Sequence, residues 1–355
     1  MLDHLLQLFP ALSRLPRDAF IVGGAIRDLL LGGDPADVDV ACSDPLSCAR
    51  AISPKVIRLG KDHLTAYRIV LGEHVYDFAP LLDDSIDRDL GRRDFTVNAM
   101  AIPLDRDALL DPHGGRRDIE ARIVRMVDPK NFDDDPLRTL KGIRLAVRHR
   151  FTVDPETLSA IRSRAPLITT VSAERVSYEL SSIFSANEFR KAVTLMRESG
   201  LDVPIFGRAL DPSRYLADDV PLAAAMTLLV DDPQAFVERW RFSDSLLRDM
   251  QFLRRLVDDH SLVALYDAGE STTRQLPPLL RAIGKDADVE MPDFATPPLL
   301  TGNDIATITG LPPGPHLGRV KRALLEAQIR GEVRTRDEAL AFVRGQAPPP
   351  VTSSV

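Results

Sequence analysis

Short apolar runs broken by polar turns fill the first third of the chain. Phe20–Val22, Val38–Ala41, Ala66–Leu71 and Val75–Ala79 have the length and composition of strands, and helical stretches separate them. That alternation predicts an α/β head over residues 1–128. From Asp133 onward the period becomes helical: Pro136 stands where a first-turn proline is tolerated, and Leu137, Leu140, Ile143 and Leu145 keep an apolar face. Helices are also predicted over Ala173–Phe184, Glu188–Ser199, Leu222–Leu229 and Ser245–Val257. The proline-rich piece Met291–Leu300 reads as a linker, LTGNDI as a helix start capped by Asn303 or Thr301, and a further helix follows LPPGPHLGRV. The final stretch, residues 346–355, has too little apolar content to fold. The pattern is α+β, with an α/β head followed by helices throughout.

Within the head, Ile21 to Ala41 reads IVGGAIRDLLLGGDPADVDVA. A strand that breaks at Gly23 and Gly24 lets bare backbone approach a ligand, and the helix that follows aims its first amides at the same place, an arrangement suited to phosphate. Arg27 and Asp28 lie on that helix. Asp37 and Asp39 flank Val38, so strand alternation sends both carboxylates to one face, where they repel each other unless a cation lies between them. Hard divalent ions take such carboxylates together with substrate phosphates. Asp-x-Asp alone is also common in ordinary turns, but two more dense blocks follow, RRDFTVNAMA at Arg92–Ala101 and DDPLRTLKGIR at Asp134–Arg144.

These blocks, taken in order, resemble the class II nucleotidyltransferases, the family of tRNA 3′-end CCA-adding enzymes and bacterial poly(A) polymerases. Its first motif looks like GGAIRD followed by DVD, its second like RRDFTVNAMA, and its third like DPHGGRRDI at Asp111–Ile119. The fourth looks like DDPLR and the fifth like SAERVSYEL at Ser172–Leu180. Five motifs in series over half the chain are far more specific than any one of them. The resemblance implies a polymerase-β-like palm in the head, then an all-α neck (129–230) with a base-selecting helix and an RNA-binding region. A helical body and tail (231–345) would bind tRNA.

It further implies Mg²⁺ held by Asp37 and Asp39, with Asp77 of VYDFA as a third acid or else an ordinary solvent-side strand residue. Gly24 and Arg27 would contact the triphosphate beside Gly23. Arg93 would contact the nucleotide, with Asp94 and Asn98 reading the sugar or bracing that contact. On the DDPLRTLKGIR helix, Asp135, Arg138, Lys141, Arg144 and Arg148 share about half the circumference at roughly 100° per residue. A carboxylate accepts from an exocyclic amine and a guanidinium donates to a ring nitrogen or carbonyl. Asp135 and Arg138 would therefore accept cytosine and adenine, which pair an amine with an acceptor nitrogen, and reject uracil and guanine, with no template. Each buried group left unpaired by a wrong base costs about 1–3 kcal/mol.

Composition modifies this picture little. The 355 residues exceed one ordinary domain. The net charge of −7 argues against strong nonspecific nucleic-acid binding, but basic residues crowd one helix while acids collect at Asp83–Asp89 and Asp133–Asp135. Two cysteines are too few for a disulfide framework or zinc cluster, and the N-terminus, with Leu2, Leu5, Leu6 and Phe9 at helical spacing, lacks a signal peptide's cationic start. A cytoplasmic protein is expected, with no membrane span and with tRNA, CTP and ATP as partners and no protein partner.

The chain departs from the family pattern in three places. Asp134 replaces the usual glutamate, Lys141 replaces an arginine, and Phe78–Gly91 replaces a longer arginine-bearing loop that serves the switch from adding C to adding A. The expected activity is addition of CMP, AMP or both to the tRNA 3′ end. CC-only addition is the first alternative, followed by A-only addition, a poly(A) polymerase and an inert RNA-binding protein. Arg319, Lys321, Arg322 and Arg330 are candidate tRNA contacts or ordinary surface charges.

Overall fold

The computed structural model describes residues 1–59, 65–295 and 297–346. Almost all of the expected unfolded tail, residues 347–355, lies outside the described residues, as does Thr296 of the expected linker. The chain forms two compact units, Met1–Pro212 and Ser213–Val355.

The first unit opens with α1 (Leu2–Leu8), β1 (Phe20–Val22), α2 (Gly24–Leu30), β2 (Asp37–Cys42), α3 (Pro45–Ile52), β3 (Ile57–Leu59), β4 (Ala66–Leu71) and β5 (His74–Pro80). Then come α4 (Ile86–Gly91), β6 (Ala101–Pro103), α5 (Gly115–Glu120) and β7 (Ile123–Val124). The remainder is α6 (Asn131–Asp134), α7 (Leu137–Arg148), β8 (Thr152–Val153), α8 (Pro155–Arg164), α9 (Ala173–Phe184), α10 (Phe189–Glu198) and α11 (Asp202–Phe206). All four predicted strands are present.

Six strands form one sheet in the order β3-β4-β5-β2-β1-β6, in which β2 and β5 run parallel and every other pair is antiparallel. Alternation gives its faces different chemistry. Val38, Val40, Tyr76, Phe78 and Ile69 are fully buried on one side, which α3 covers. Phe9 closes that core edge-on against Tyr76, with ring centroids 5.5 Å apart. The other side carries the row Val22, Asp39, Asp77 and Arg68, each directly opposite the next. Acids in the middle of a sheet are costly to bury, so this row marks where the head is specialised.

The helical part of the first unit is built around α7, which packs along α9 and against the short parallel β7–β8 pair. Its apolar face is the predicted one, with Leu137, Leu140, Ile143 and Leu145 buried. One boundary differs: the helix begins at Leu137, and Asp135 lies before it in extended conformation (φ −143°, ψ 94°). Proline after Asp135 excludes that aspartate from helical geometry.

The second unit is helical: α12 (Leu222–Leu229), α13 (Pro233–Trp240), α14 (Asp244–Leu256), α15 (Leu262–Ala268), α16 (Glu270–Thr273), α17 (Leu276–Ala282), α18 (Gly302–Thr309), α19 (Pro315–Ile329) and α20 (Arg336–Gly345). Position 230, read from the sequence as a boundary, falls inside this unit because α12 packs against α14 and α17. At α18 the cap is Thr301 and not Asn303: the Thr301 side chain accepts from the Asp304 amide, and the Asp304 side chain accepts from the Thr301 amide. No helix among the described residues is long and apolar enough to cross a membrane.

Candidate active site

The glycine turn puts two charged groups where no other residue would allow them. β1 ends at Val22, and Gly23 adopts φ 80°, ψ −136° as the cap before α2. A Cβ there would sit 2.9 Å from Nη1 of Arg93 and 3.0 Å from Oδ2 of Asp39. The bare backbone thus lets an arginine of the second sequence block and an aspartate of the first converge on one turn.

Arg27, on the first helical turns of α2, is held at both ends. Its Nε and Nη2 donate to Oδ1 of Asp28 at 2.9 and 2.8 Å, and Nη1 donates to Oδ1 of Asn98 at 2.7 Å. Asn98 in turn donates from Nδ2 to Oδ1 of Asp94 at 3.0 Å. Asp28, Arg27, Asn98 and Asp94 therefore form a continuous chain along the floor of a cleft of about 500 Å³. Its lining also includes Gly23, Gly24, Asp37, Asp39, Arg93, Lys141, Arg144, Arg148 and Tyr178.

Asp37 is exposed and Asp39 half-buried. Burial pushes the Asp39 carboxyl up to about 6, against the pull of the Arg93 guanidinium; the Asp77 and Asp37 carboxylates raise it further, and Lys141 opposes them. The charged form of Asp39 thus lacks enough positive charge nearby, which is the electrostatic demand a bound cation meets. The donor set fits a hard divalent ion that takes its remaining oxygens from a ligand. Among the described residues, no three His, Cys, Asp or Glu side chains form a complete metal cage. Asp77 stands beside Asp39 in the sheet, but its two oxygens accept from Nε and Nη2 of Arg68 at 2.8 and 2.7 Å, and it does not line the cleft.

A second hollow of about 230 Å³ is lined by Asp89, Arg92, Arg93, Asp94, Asp135, Arg138 and Lys141. Arg93, Asp94 and Lys141 line both spaces, so the metal-type acids and the Asp135–Arg138 pair lie on one connected polar surface. Arg138 donates from Nη1 to the carbonyls of Arg92 and Asn131 at 2.7 and 3.0 Å. Asn131 donates to the carbonyls of Gly91 and Arg93. The start of α7 is thereby fastened to the second sequence block. Arg144 donates from Nε to Oε2 of the buried Glu179 at 2.7 Å.

Several of these partners were not identified from the sequence. Asp89 sits in the acidic run Asp83–Asp89 and reads as solvated, yet it is 1% exposed and accepts from both Arg92 and Arg93. The i, i+3 and i, i+4 spacing in DRDLGRR was the available signal. Glu179, Arg175 and Tyr178 share the fifth motif, and Tyr178 is 70% exposed at the cleft wall. The third motif is a brace. Asp111 caps the start of α5 by accepting from the Gly115 and Arg116 amides, and a Cβ on Gly115 would lie 2.2 Å from the Thr96 carbonyl oxygen. Thr96 donates to Oδ2 of Asp118 at 2.8 Å, which locks the second block onto α5.

Known proteins share this architecture. The profile of the poly A polymerase head domain matches residues 19–81 and 71–125, and that of a probable RNA and SrmB-binding site of polymerase A matches residues 150–211. The A-adding tRNA nucleotidyltransferase of Deinococcus radiodurans is 30% identical, over 94% of this chain and 97% of its own. The CC-adding tRNA nucleotidyltransferase of Geobacter sulfurreducens is also 30% identical, over 92% and 91%. The crystal structure of the Bacillus stearothermophilus CCA-adding enzyme in complex with CTP superposes with a TM-score of 0.79 at 26% identity, covering 97% of each chain. Nucleotidyltransferases of this kind generally use divalent metal ions. With relatives this similar along nearly their entire length, the chain belongs to the family of tRNA nucleotidyltransferases and poly(A) polymerases.

Proposed function

We infer that this protein is a template-independent tRNA nucleotidyltransferase that transfers CMP, AMP or both from CTP and ATP to the 3′ end of tRNA. The observation that carries this reading is the connected polar surface: Asp37, Asp39, the Gly23 turn, Arg27 and Arg93 line one cleft, and Asp135 with Arg138 line its continuation. Relatives add A, CC or CCA, and solved neighbours are complexes with CTP or with tRNA.

Asp37 and Asp39 hold Mg²⁺ in this proposal. When bound, the metal acidifies the attacking 3′-hydroxyl and neutralises charge on the leaving pyrophosphate. Asp77 orients Arg68 and lends negative potential to Asp39. Arg27, fixed by Asp28 and Asn98, presents its guanidinium to the triphosphate beside the uncapped amides of Gly24 and Ala25. Arg93 lies between the acids and the base-side hollow, where it contacts sugar or base, and Asp94 and Asn98 brace this geometry. Asp135 accepts from the exocyclic amine of C or A, and Arg138 donates to the neighbouring acceptor. Lys141, Arg144 and Arg148 draw phosphates toward the cleft.

Residues 1–128 then carry transfer chemistry, the rest of the first unit base selection and RNA contact, and the second unit tRNA binding. Of the four basic candidates near the C-terminus, Arg322 pairs with Asp267 and Glu326, and Arg330 with Glu326 and Glu332. Arg319 and Lys321 are exposed, which favours them as phosphate contacts. The work of a tRNA-maturing enzyme and the free thiols of Cys42 and Cys48 suit the cytoplasm.

One observation favours CC-only addition. The segment between Asp77 and Arg92 closes into a 3₁₀ turn at Leu82–Asp84 and the short helix α4, and its one arginine, Arg88, pairs with Asp83 at 2.5 Å. Among the described residues of this segment, no free guanidinium is left to reshape the pocket for ATP. Sequencing the ends of tRNA that lacks CCA, after incubation with CTP, ATP and Mg²⁺, decides the matter. Ends stopping at CC identify a split-pathway enzyme, complete CCA shows that this segment suffices, and unextended ends reject the proposal.

A further inference from the structure

Asp135 is restrained by a partner that lies outside its own helix. Its Oδ2 accepts from Nη2 of Arg175 at 2.8 Å, and its Oδ1 accepts from the Leu137 amide at 3.3 Å. Arg175 belongs to α9, so the link is tertiary and depends on the packing of α9 along α7. Arg138 does not share this task, because its Nη1 is engaged by the carbonyls of Arg92 and Asn131. The other charged groups around the hollow are Lys141 on α7, Asp89 on α4, and Arg92, Arg93 and Asp94 in the turn after it. Although burial acts the other way, the Arg175 guanidinium and then Lys141 hold the Asp135 carboxyl below the usual carboxylate range.

The charge state of this one group decides which bases it fits. An ionised carboxylate only accepts, so it matches the amines of cytosine and adenine and repels the carbonyls of uracil and guanine. A protonated carboxyl donates from one oxygen and accepts at the other. It would pair with the carbonyl and adjacent N–H of uracil or guanine and so admit the wrong substrates.

We propose that Arg175 is a specificity-determining positioning residue, which clamps Oδ2 of Asp135 so that this carboxylate stays an acceptor turned toward the incoming base and excludes UTP and GTP. The inference rests on the reading of Asp135 as the base-selecting acid. Arg175 itself touches no substrate. Its effect reaches the nucleotide through Asp135, and it concerns the ratio between substrates and not the rate of transfer.

The test compares the full-length wild type with Arg175→Gln, Arg175→Lys and Asp135→Ala, on tRNA lacking its 3′ end, by kcat/KM for each of the four nucleoside triphosphates. Expected for Arg175→Gln is a loss of about tenfold or more in CTP-over-UTP or ATP-over-GTP preference, the size of one lost polar contact. That loss grows as pH is lowered, because a carboxyl freed of its guanidinium protonates more readily in a half-buried site. Arg175→Lys restores most of the preference, and Asp135→Ala loses it with no pH dependence. If Asp135→Ala relaxes selection while Arg175→Gln does not, the clamp is wrong and the base-reading assignment survives. Unchanged selection in Asp135→Ala overturns both. Arg175→Gln and Arg175→Lys variants slowed equally on all four nucleotides, with ratios intact, would show a merely structural ion pair and reject the proposal.

Discussion

The buried carboxylate of Asp89 grips the guanidinium of Arg93, with Oδ2 3.0 Å from Nη2, and so fixes the arginine that faces Asp39 across the Gly23 turn. The same carboxylate takes Arg92 through its other oxygen at 2.6 Å. Asp89→Asn removes the charge that balances two guanidiniums. We expect a loss of about 1–3 kcal/mol in unfolding free energy by urea titration, the cost of leaving a buried group unpaired. Nucleotide incorporation should fall at least about tenfold beyond any loss of folded protein, because Arg93 loses its orientation. Full activity in Asp89→Asn would mean that Arg93 does not need this anchor.

Gly23→Ala tests the turn. A side chain at φ 80°, ψ −136° strains the backbone by about 1–3 kcal/mol, and its Cβ meets Arg93 and Asp39 within 3.0 Å. A lowered melting temperature is expected together with near-complete loss of incorporation, whereas a Gly32→Ala control, whose Cβ meets nothing within 4 Å at a similar φ, should keep its activity. Equal activity in the two variants would deny the turn any special role.

The Asp39 carboxyl gives a pH signature in metal-free protein. Its pKa rises from 3.8 to about 6 on folding, so the folded state binds this proton more tightly than the unfolded one. That contribution to stability is fully present below about pH 4 and is lost as pH rises through about 6, a change of order 2–3 kcal/mol at roughly 1.4 kcal/mol per unit. Asp39→Asn, which is neutral throughout, should therefore be more stable than wild type near pH 7 and no different near pH 4. Added Mg²⁺ should raise the wild-type melting temperature and leave that of Asp39→Asn unchanged. Urea titration across this range and calorimetry with and without the metal check both.

For the second unit, Arg319→Ala with Lys321→Ala should raise KM for tRNA several-fold and flatten its salt dependence, since each lost phosphate contact removes counterion release. Arg322→Ala, which breaks pairs with Asp267 and Glu326, should instead lower stability and leave KM for tRNA nearly unchanged. Filter binding at several salt concentrations separates the two.

Local patterns carried much of this structure. Short apolar runs located β1, β2, β4 and β5, and the 3.6-residue period separated the polar face of α7 from Leu137, Leu140 and Leu145, because each depends on neighbours within a few residues. What the sequence concealed depends on tertiary pairing. An aspartate in the run Asp83–Asp89 reads as surface charge until Arg92 and Arg93 fold back over it. Asp77 reads equally as a third acid or as an ordinary strand residue, and its pairing with Arg68 on the adjacent strand emerges only from the sheet. Arg175 acquires meaning only when α9 lies along α7 and brings it to Asp135. The break at Asp135 was legible in Pro136, which constrains the residue before it.

The most direct test is a single assay: purified Asp37→Ala with Asp39→Ala, tRNA lacking its 3′ end, Mg²⁺ and labelled CTP or ATP, with tRNA binding measured in parallel. The expected result is loss of all incorporation with tRNA affinity essentially retained. Turnover that persists in the double variant would contradict the assignment of these two carboxylates as the metal-holding pair.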